Sequence, residues 1–153
     1  MMITKMFTFD SAHRLFNPKL SDEENKNIFG KCFNLHGHTY KLNVSVDGKV
    51  NSETGMIINF VDLKRIVTET VLDVLDHKYL NELSEFEGMI TTCENMIIWI
   101  WFTLYKELPC LSRLELYETP TSFATLKSDE ILASTEKIKT LNLNDNLNLK
   151  ETK

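Results

Sequence analysis

Two stretches of the sequence alternate between apolar and polar side chains with the period of two that is typical of half-buried β-strands. In residues 3–13 the apolar phase starts at Ile3, and continuing it puts His13 on the same face. In residues 36–46 the alternation is cleaner, and one face carries His36, His38, Tyr40, Leu42, Val44 and Val46. A short apolar run at 56–60 and two segments on either side of Pro120, 114–118 and 123–126, predict three further strands.

Helical spacing replaces this alternation in two segments. Residues 62–75 carry an apolar stripe, and residues 92–108 carry a wider apolar face that begins with a Thr91/Glu94 capping-box spacing. Residues 17–31 are polar, are interrupted by Pro18 and Gly30, and are predicted as a loop. The order β-β-β-α-α-β-β predicts an α+β fold, with helices on one face of an antiparallel sheet.

Composition limits the classes of function. The 153 residues carry a formal net charge of −5 without a lysine/arginine block, which argues against a nucleic-acid partner. No apolar run is long enough to span a membrane, and no leader peptide is recognisable. Three cysteines without a close CxxC pair favour a reducing compartment, so we expect a cytoplasmic protein.

Residues 1–127 are predicted to form the domain, and residues 128–153 a C-terminal tail. The tail has leucines among repeated asparagines and no aromatic residue. We expect it to be poorly ordered or peripheral; a docked helix and an added edge strand remain open.

Chemistry concentrates around His36-Gly37-His38, with Cys32 four residues upstream. On a strand, the two imidazoles point to the same side about 7 Å apart, close enough to bind one ion. The alternative is two strand histidines that only form hydrogen bonds. His13 is the natural third ligand, and three histidines with an open fourth position are typical of catalytic zinc.

Three further positions have both a structural and a functional interpretation. Cys32 is either a small buried side chain or, beside a metal, an acid/base thiolate. Asp76-His77 is either a favourable helix C-terminus or a proton relay. Glu118 is either a solvated strand-end carboxylate or a bidentate acceptor for a guanidine-like edge.

Six motifs together resemble one family. They are residues 9–15, 32–40, 55–64, 75–81, 91–95 and 117–119. In this order they resemble the 6-pyruvoyl-tetrahydropterin synthase / 6-carboxytetrahydropterin synthase family over residues 3 to about 127.

The resemblance implies a tunnelling fold (T-fold), in which a four-stranded antiparallel sheet with two helices on one face assembles into an oligomeric barrel. It implies a homo-oligomer, a trimer or hexamer, with sites between subunits and a small-molecule pterin substrate. The implied roles are zinc ligands for His13, His36 and His38, acid/base catalysis for Cys32, its relay for Asp76 and His77, and pterin binding for Glu118 and Thr92.

The implied substrate is 7,8-dihydroneopterin triphosphate. The three residues between Cys32 and His36 resemble the bacterial 6-carboxytetrahydropterin synthases of queuosine biosynthesis, which release acetaldehyde and triphosphate; Asn59 departs from the aspartate of many bacterial members. Three alternatives remain: a 6-pyruvoyl synthase that only eliminates triphosphate, a non-catalytic zinc and pterin-binding module, and a zinc hydrolase that does not need Cys32.

Overall fold

Five strands form one sheet in the computed structural model, which describes residues 1–131. The strands are β1 (Met2–His13), β2 (His36–Asp47), β3 (Lys78–Tyr79), β4 (Leu111–Thr119) and β5 (Ser122–Lys127). Their order is β3-β1-β2-β4-β5, and the four long strands pair antiparallel. The predicted four-stranded antiparallel sheet is therefore incomplete, because the short strand β3 pairs parallel to β1.

The alternation predicted for β1 and β2 matches the burial of their side chains. Phe7, Phe9, Ser11 and His13 are buried on β1, while the residues between them are more exposed. On β2 the side chains of Leu42, Val44 and Val46 are fully buried. One face of the sheet is thus apolar along most of its length and becomes polar towards the end where His13 and His36 pair.

Helix α1 (Asp22–Phe29) lies in the segment that was predicted as a loop. It begins with a capping box, in which the Ser21 side chain accepts from the Glu24 backbone and the Glu24 side chain accepts from the Ser21 backbone. The side chain of Asn25 is fully buried and bonded to the preceding turn. A 3₁₀ turn, Gly30–Phe33, then leads to β2.

The predicted helix at 62–75 is present, but it is not uniform. It consists of α2 (Phe60–Val67), a π-helical turn (Thr68–Leu72) and α3 (Asp73–Leu75). A regular α-helix drifts about 40° for every four residues, so a stripe with a spacing of four would leave the core. The wider π turn reduces that drift. Four residues with this spacing are accordingly fully buried: Leu63, Val67, Val71 and Leu75.

The strand predicted at 56–60 is wrong. Met56 and Phe60 at its two ends are 41% and 48% exposed, and helix α2 already starts at Phe60. The side chain of Asn59 caps this helix by accepting a hydrogen bond of 2.8 Å from the Val61 N–H. The segment therefore has the chemistry of a helix start rather than of a strand.

Helix α4 (Cys93–Tyr105) contributes seven buried apolar side chains to the core, including the fully buried Ile100 and Leu104. It ends earlier than the predicted residue 108, and its N-cap is Thr92 rather than Thr91. Helices α2, α3 and α4 share one hydrophobic cluster with the sheet. The predicted α+β class is thus correct.

No helix within residues 1–131 combines the length and apolar character needed to cross a membrane. Beyond β5 the chain makes a 3₁₀ turn, Ser128–Glu130. The predicted tail lies outside the described residues from position 132 onwards.

Candidate active site

Strand register brings three histidines together at one end of the sheet. His13 is paired directly with His36, and Ser11 with His38. The ring centroids of the three imidazoles are 4.7, 5.0 and 5.2 Å apart. One ring nitrogen from each lies within 4.8 Å of the others, so the three side chains predicted as ligands form a cluster able to hold one ion.

Backbone carbonyls fix the tautomer of two of these rings. The Nδ1–H of His13 donates to the Thr91 carbonyl oxygen at 2.8 Å, and the Nδ1–H of His36 donates to the Asn34 carbonyl oxygen at the same distance. A carbonyl oxygen can only accept, so each Nδ1 must carry the hydrogen. In the neutral rings Nε2 is then left with a lone pair, as a metal ligand requires.

Burial favours the neutral form of two of the three rings. His13 is fully buried, and desolvation lowers its pKa from 6.5 to about 4. Desolvation also lowers the pKa of His38, against the opposing effect of the Glu118 carboxylate. The Nε2 atom of His38 is buried without a hydrogen-bond partner among the described residues. Two imidazoles that burial keeps neutral lie beside His36, one of them with a buried nitrogen that has no hydrogen-bond partner among the described residues, and this set fits a metal ion.

Gly37 allows β1 and β2 to approach closely between the ligands. A Cβ atom added at this position would lie 3.3 Å from the Ser11 carbonyl oxygen, tighter than ordinary contact. The glycine of the His-Gly-His motif therefore has a packing reason, because a side chain there would push β2 away from β1.

Glu118 faces the histidine cluster from the end of β4. Its Oε1 atom lies 3.5 Å from His13 Nε2 and 3.9 Å from His38 Nε2, and its side chain is 28% exposed. It also lines a cavity of about 330 Å³ together with Thr92 and Phe123. The two residues predicted to bind a substrate thus lie in one cavity beside the histidines.

Tyr40 closes the buried side of the cluster. Its hydroxyl oxygen is 3.5 Å from both ring nitrogens of His13. Burial raises the pKa of this phenol well above its usual value, so the hydroxyl stays protonated. Tyr40 follows His36 and His38 on the same face of β2, and this phase is the signal that could have identified it.

Asp76 and His77 form a pair at the end of α3. Asp76 Oδ1 accepts the Asp10 N–H at 2.9 Å and lies 3.0 Å from His77 Nδ1. These contacts, the Asp10 N–H first, lower the pKa of the Asp76 carboxyl. The backbone of His77 has a φ of 57°, and its N–H donates to the Asp10 carbonyl oxygen at 2.6 Å. The imidazole itself is 77% exposed.

Strand β1 holds this pair in place. The buried Ser11 hydroxyl donates to the Leu75 carbonyl oxygen at 2.5 Å, at the end of α3. His77 and His38 line the same open cavity, of about 540 Å³. The structure therefore places His77 of the predicted relay pair and the predicted metal ligand His38 around one space. Ser11 and Thr91, which position His77 and His13, were not predicted as site residues.

Cys32 stands apart from these groups. It lies in the 3₁₀ turn before β2, its thiol is exposed, and its carbonyl oxygen accepts the Leu15 N–H at 2.7 Å. Within residues 1–131 no hydrogen bond or ion pair joins the thiol to Asp76 or His77, and it is not part of the histidine cluster.

Comparison with known proteins identifies what the chain resembles. Residues 2–129 match the 6-pyruvoyl tetrahydropterin synthase family. A 6-pyruvoyl tetrahydrobiopterin synthase of Dictyostelium discoideum is 44% identical, covering 84% of this chain and 96% of that protein. A 6-carboxy-5,6,7,8-tetrahydropterin synthase of Haemophilus influenzae is 37% identical, covering 79% and 94%. The structure of the Caenorhabditis elegans 6-pyruvoyl tetrahydropterin synthase is 34% identical with a TM-score of 0.79, covering 84% and 95%.

Proposed function

Because the chain belongs to the 6-pyruvoyl tetrahydropterin synthase family, we propose that it is a zinc-dependent lyase that eliminates triphosphate from 7,8-dihydroneopterin triphosphate to give 6-pyruvoyl-tetrahydropterin. The observation that carries the proposal is the cluster of three imidazoles beside the Glu118 cavity. A binding module needs the histidines and Glu118 only, whereas this chain also has Cys32 and the Asp76–His77 pair.

His13, His36 and His38 would hold the zinc through their unprotonated nitrogens. When bound, zinc acts as a Lewis acid that makes the C–H bonds next to the side-chain hydroxyls of the substrate more acidic. The protein contributes the orientation of the ligands, because Thr91 and Asn34 fix two of the three rings.

Glu118 and Thr92 would bind the pterin ring. The Glu118 carboxylate suits the N–H groups of the amino-pyrimidine edge, which presents a guanidine-like pair of donors. The Thr92 oxygen accepts the Asn95 N–H at 3.3 Å as the helix cap, so its hydroxyl hydrogen stays available for a ligand.

Cys32 would remove a proton from the side chain of the substrate, and His77 would exchange protons with the intermediate. The ionised Asp76 carboxylate favours a hydrogen on His77 Nδ1, which leaves Nε2 to take and give a proton. Since Cys32 has no bond to this pair among residues 1–131, we propose that the complete site forms between subunits of a homo-oligomer, a trimer or hexamer, in the cytoplasm.

A second product is favoured by one specific observation. Cys32 and His36 are separated by three residues, the spacing that resembles bacterial 6-carboxytetrahydropterin synthases, and the Haemophilus influenzae relative carries that name. That reaction also breaks a carbon–carbon bond and releases acetaldehyde, and the product would enter queuosine biosynthesis. The higher identity of relatives named 6-pyruvoyl tetrahydrobiopterin synthase puts the 6-pyruvoyl product first.

Product analysis tests the proposal. The zinc-loaded protein is incubated with 7,8-dihydroneopterin triphosphate, and triphosphate, acetaldehyde and pterins are identified by mass spectrometry. We expect triphosphate without acetaldehyde; one acetaldehyde per triphosphate would establish the 6-carboxy product instead. No release of triphosphate would refute the pterin synthase assignment.

Two cysteine variants test the acid/base role. Cys32→Ala should lose at least about 100-fold in turnover, as expected for a general base. Cys110→Ala is the matched control, because Cys110 follows α4 and is partly buried away from the histidine cluster. Near-normal turnover of Cys32→Ala with zinc bound would show that another group removes the proton.

A further inference from the structure

Two lone-pair atoms face each other where Glu118 meets the histidine cluster. Because His13 Nδ1–H donates to the Thr91 carbonyl oxygen, the neutral ring has no hydrogen on Nε2. That nitrogen nevertheless lies 3.5 Å from Glu118 Oε1. A carboxylate oxygen only accepts, so this approach is unfavourable unless a cation lies between the two atoms.

The distance from Glu118 to His13 suits a tetrahedral ion, and the distance to His38 is slightly longer than such an ion requires. Zinc–nitrogen and zinc–carboxylate bonds are about 2.0–2.2 Å long, so two ligand atoms of a tetrahedral site lie about 3.3–3.6 Å apart. Glu118 Oε1 is 3.5 Å from His13 Nε2 and 3.9 Å from His38 Nε2. The nitrogen of His38 is buried and has no hydrogen-bond partner among residues 1–131, so it too is available as a ligand.

The backbone of β4 directs Glu118 towards this position. Tyr117 pairs with Phe123 and Thr119 pairs with Ser122, which leaves Glu118 unpaired in a bulge between them. Bulges re-aim a side chain and free it from the regular ladder. The pairing of β4 with β2 also ends at Tyr117. Beside Glu118 lies the 330 Å³ cavity, which gives the carboxylate a second place to go.

We propose that Glu118 is the fourth ligand of the metal in the substrate-free protein, and that it leaves the metal when a substrate oxygen binds. The carboxylate is then free to bind the N–H groups of the pterin edge. Binding of the pterin ring would therefore be coupled to the loss of Glu118 as a metal ligand. The inference rests on the metal-binding part of the proposed function and is independent of which pterin product is formed.

Metal binding without substrate provides the test. Full-length wild type, Glu118→Gln and Glu94→Gln are compared by zinc titration against a chromophoric chelator at one pH. Glu94→Gln is the matched control, because it removes the same charge from the same cavity but has no ion pair with the histidines within residues 1–131. We expect the zinc Kd to rise at least about 10-fold for Glu118→Gln and to stay within about twofold for Glu94→Gln.

Cobalt substitution reports the coordination directly. The visible bands of Co²⁺ depend on its ligands, so Glu118→Gln should change the spectrum of the cobalt form and Glu94→Gln should not. Without metal, Glu118→Gln should unfold at an equal or higher temperature, since its amide can donate to His13 Nε2. If Glu118→Gln fails to fold, Glu118→Asp serves instead, because it withdraws the carboxylate by about 1.5 Å.

The outcomes separate the inference from the proposed function. Wild type that binds neither zinc nor cobalt would refute the metal-dependent function itself. Wild type that binds both metals, together with an unchanged Kd and an unchanged cobalt spectrum for the Glu118 variant, would refute only the role of Glu118 as a ligand.

Discussion

Acidification of the metal-free protein should cost stability through His13. Its imidazole is fully buried, and desolvation lowers its pKa from 6.5 to about 4. Between these two values the unfolded chain binds a proton that the folded chain does not bind. The stability associated with His13 is therefore fully present above pH 6.5 and is lost as the pH falls from 6.5 towards 4.

The size of this effect follows from the two pKa values. Each tenfold difference in proton affinity corresponds to about 1.4 kcal/mol. Over the whole titration of His13 the free energy of unfolding falls by about 3 kcal/mol, and about 2 kcal/mol of this loss occurs between pH 7 and pH 5. That range lies above the ordinary pKa of most carboxyl groups, so His13 dominates the change together with a smaller contribution of the same sign from His38.

Urea unfolding in the presence of a metal chelator measures this loss of stability. Wild type is compared with His13→Gln at pH 7, 6 and 5, and the difference in unfolding free energy between the two should fall by about 2 kcal/mol towards pH 5. Asn25→Ala is the control, because it removes a fully buried amide that does not titrate, so its difference from wild type should not change with pH. Parallel profiles for wild type and His13→Gln would refute the assignment of a buried neutral imidazole.

Three further substitutions probe the packing around the site. Gly37→Ala should cost about 1 kcal/mol and weaken zinc binding, as measured by urea unfolding and titration, because the added methyl would lie 3.3 Å from the Ser11 carbonyl oxygen. Ser11→Ala removes the buried hydroxyl bonded to the Leu75 carbonyl, and should cost about 1 kcal/mol and lower kcat without changing the zinc Kd. Asn25→Ala removes a buried amide that donates to three carbonyls and accepts one N–H; we expect a loss of about 2 kcal/mol by urea unfolding, with zinc affinity unchanged.

Periodicity predicted the parts of the structure in which one side faces the core and the other does not. The alternation in β1 and β2 has a direct physical cause, so it fixed both the strands and the shared face of His13, His36 and His38. The prediction of a strand at 56–60 was wrong because a short apolar run shows no period. Such runs occur both in strands and at the starts of helices, and only the helix cap at Asn59 distinguishes the two here.

Local capping chemistry was present in the sequence but was not used where it mattered. Ser21 and Glu24 have the spacing of a capping box, but the helix they begin was predicted as a loop because the segment is polar and is interrupted by Pro18 and Gly30. The two-residue strand β3 has no periodicity at all. It exists because the chain after α3 is bonded to β1, and a contact of that range leaves no mark in a local pattern.

The backbone contacts of the site also could not be predicted from local patterns in the sequence. The Thr91 carbonyl that orients His13 lies 78 residues away in sequence. The bulge that turns Glu118 towards the histidines depends on how β4 pairs with β5. The sequence therefore predicted which residues form the histidine cluster. The tertiary structure determines which ring nitrogens of His13 and His36 carry the hydrogen and towards which groups the Glu118 carboxylate points.

Because His13 pairs with His36 across β1 and β2, a bound metal would favour one register of these two strands. A slip of one residue would turn the histidines of one strand to the opposite face of the sheet. A slip of two residues would keep the face but displace His13 along β2 by about 7 Å. An ion that requires all three nitrogens binds neither slipped form. All of the metal's binding free energy would therefore stabilise the correct register. Zinc would then favour correct folding of this sheet in addition to its role in catalysis.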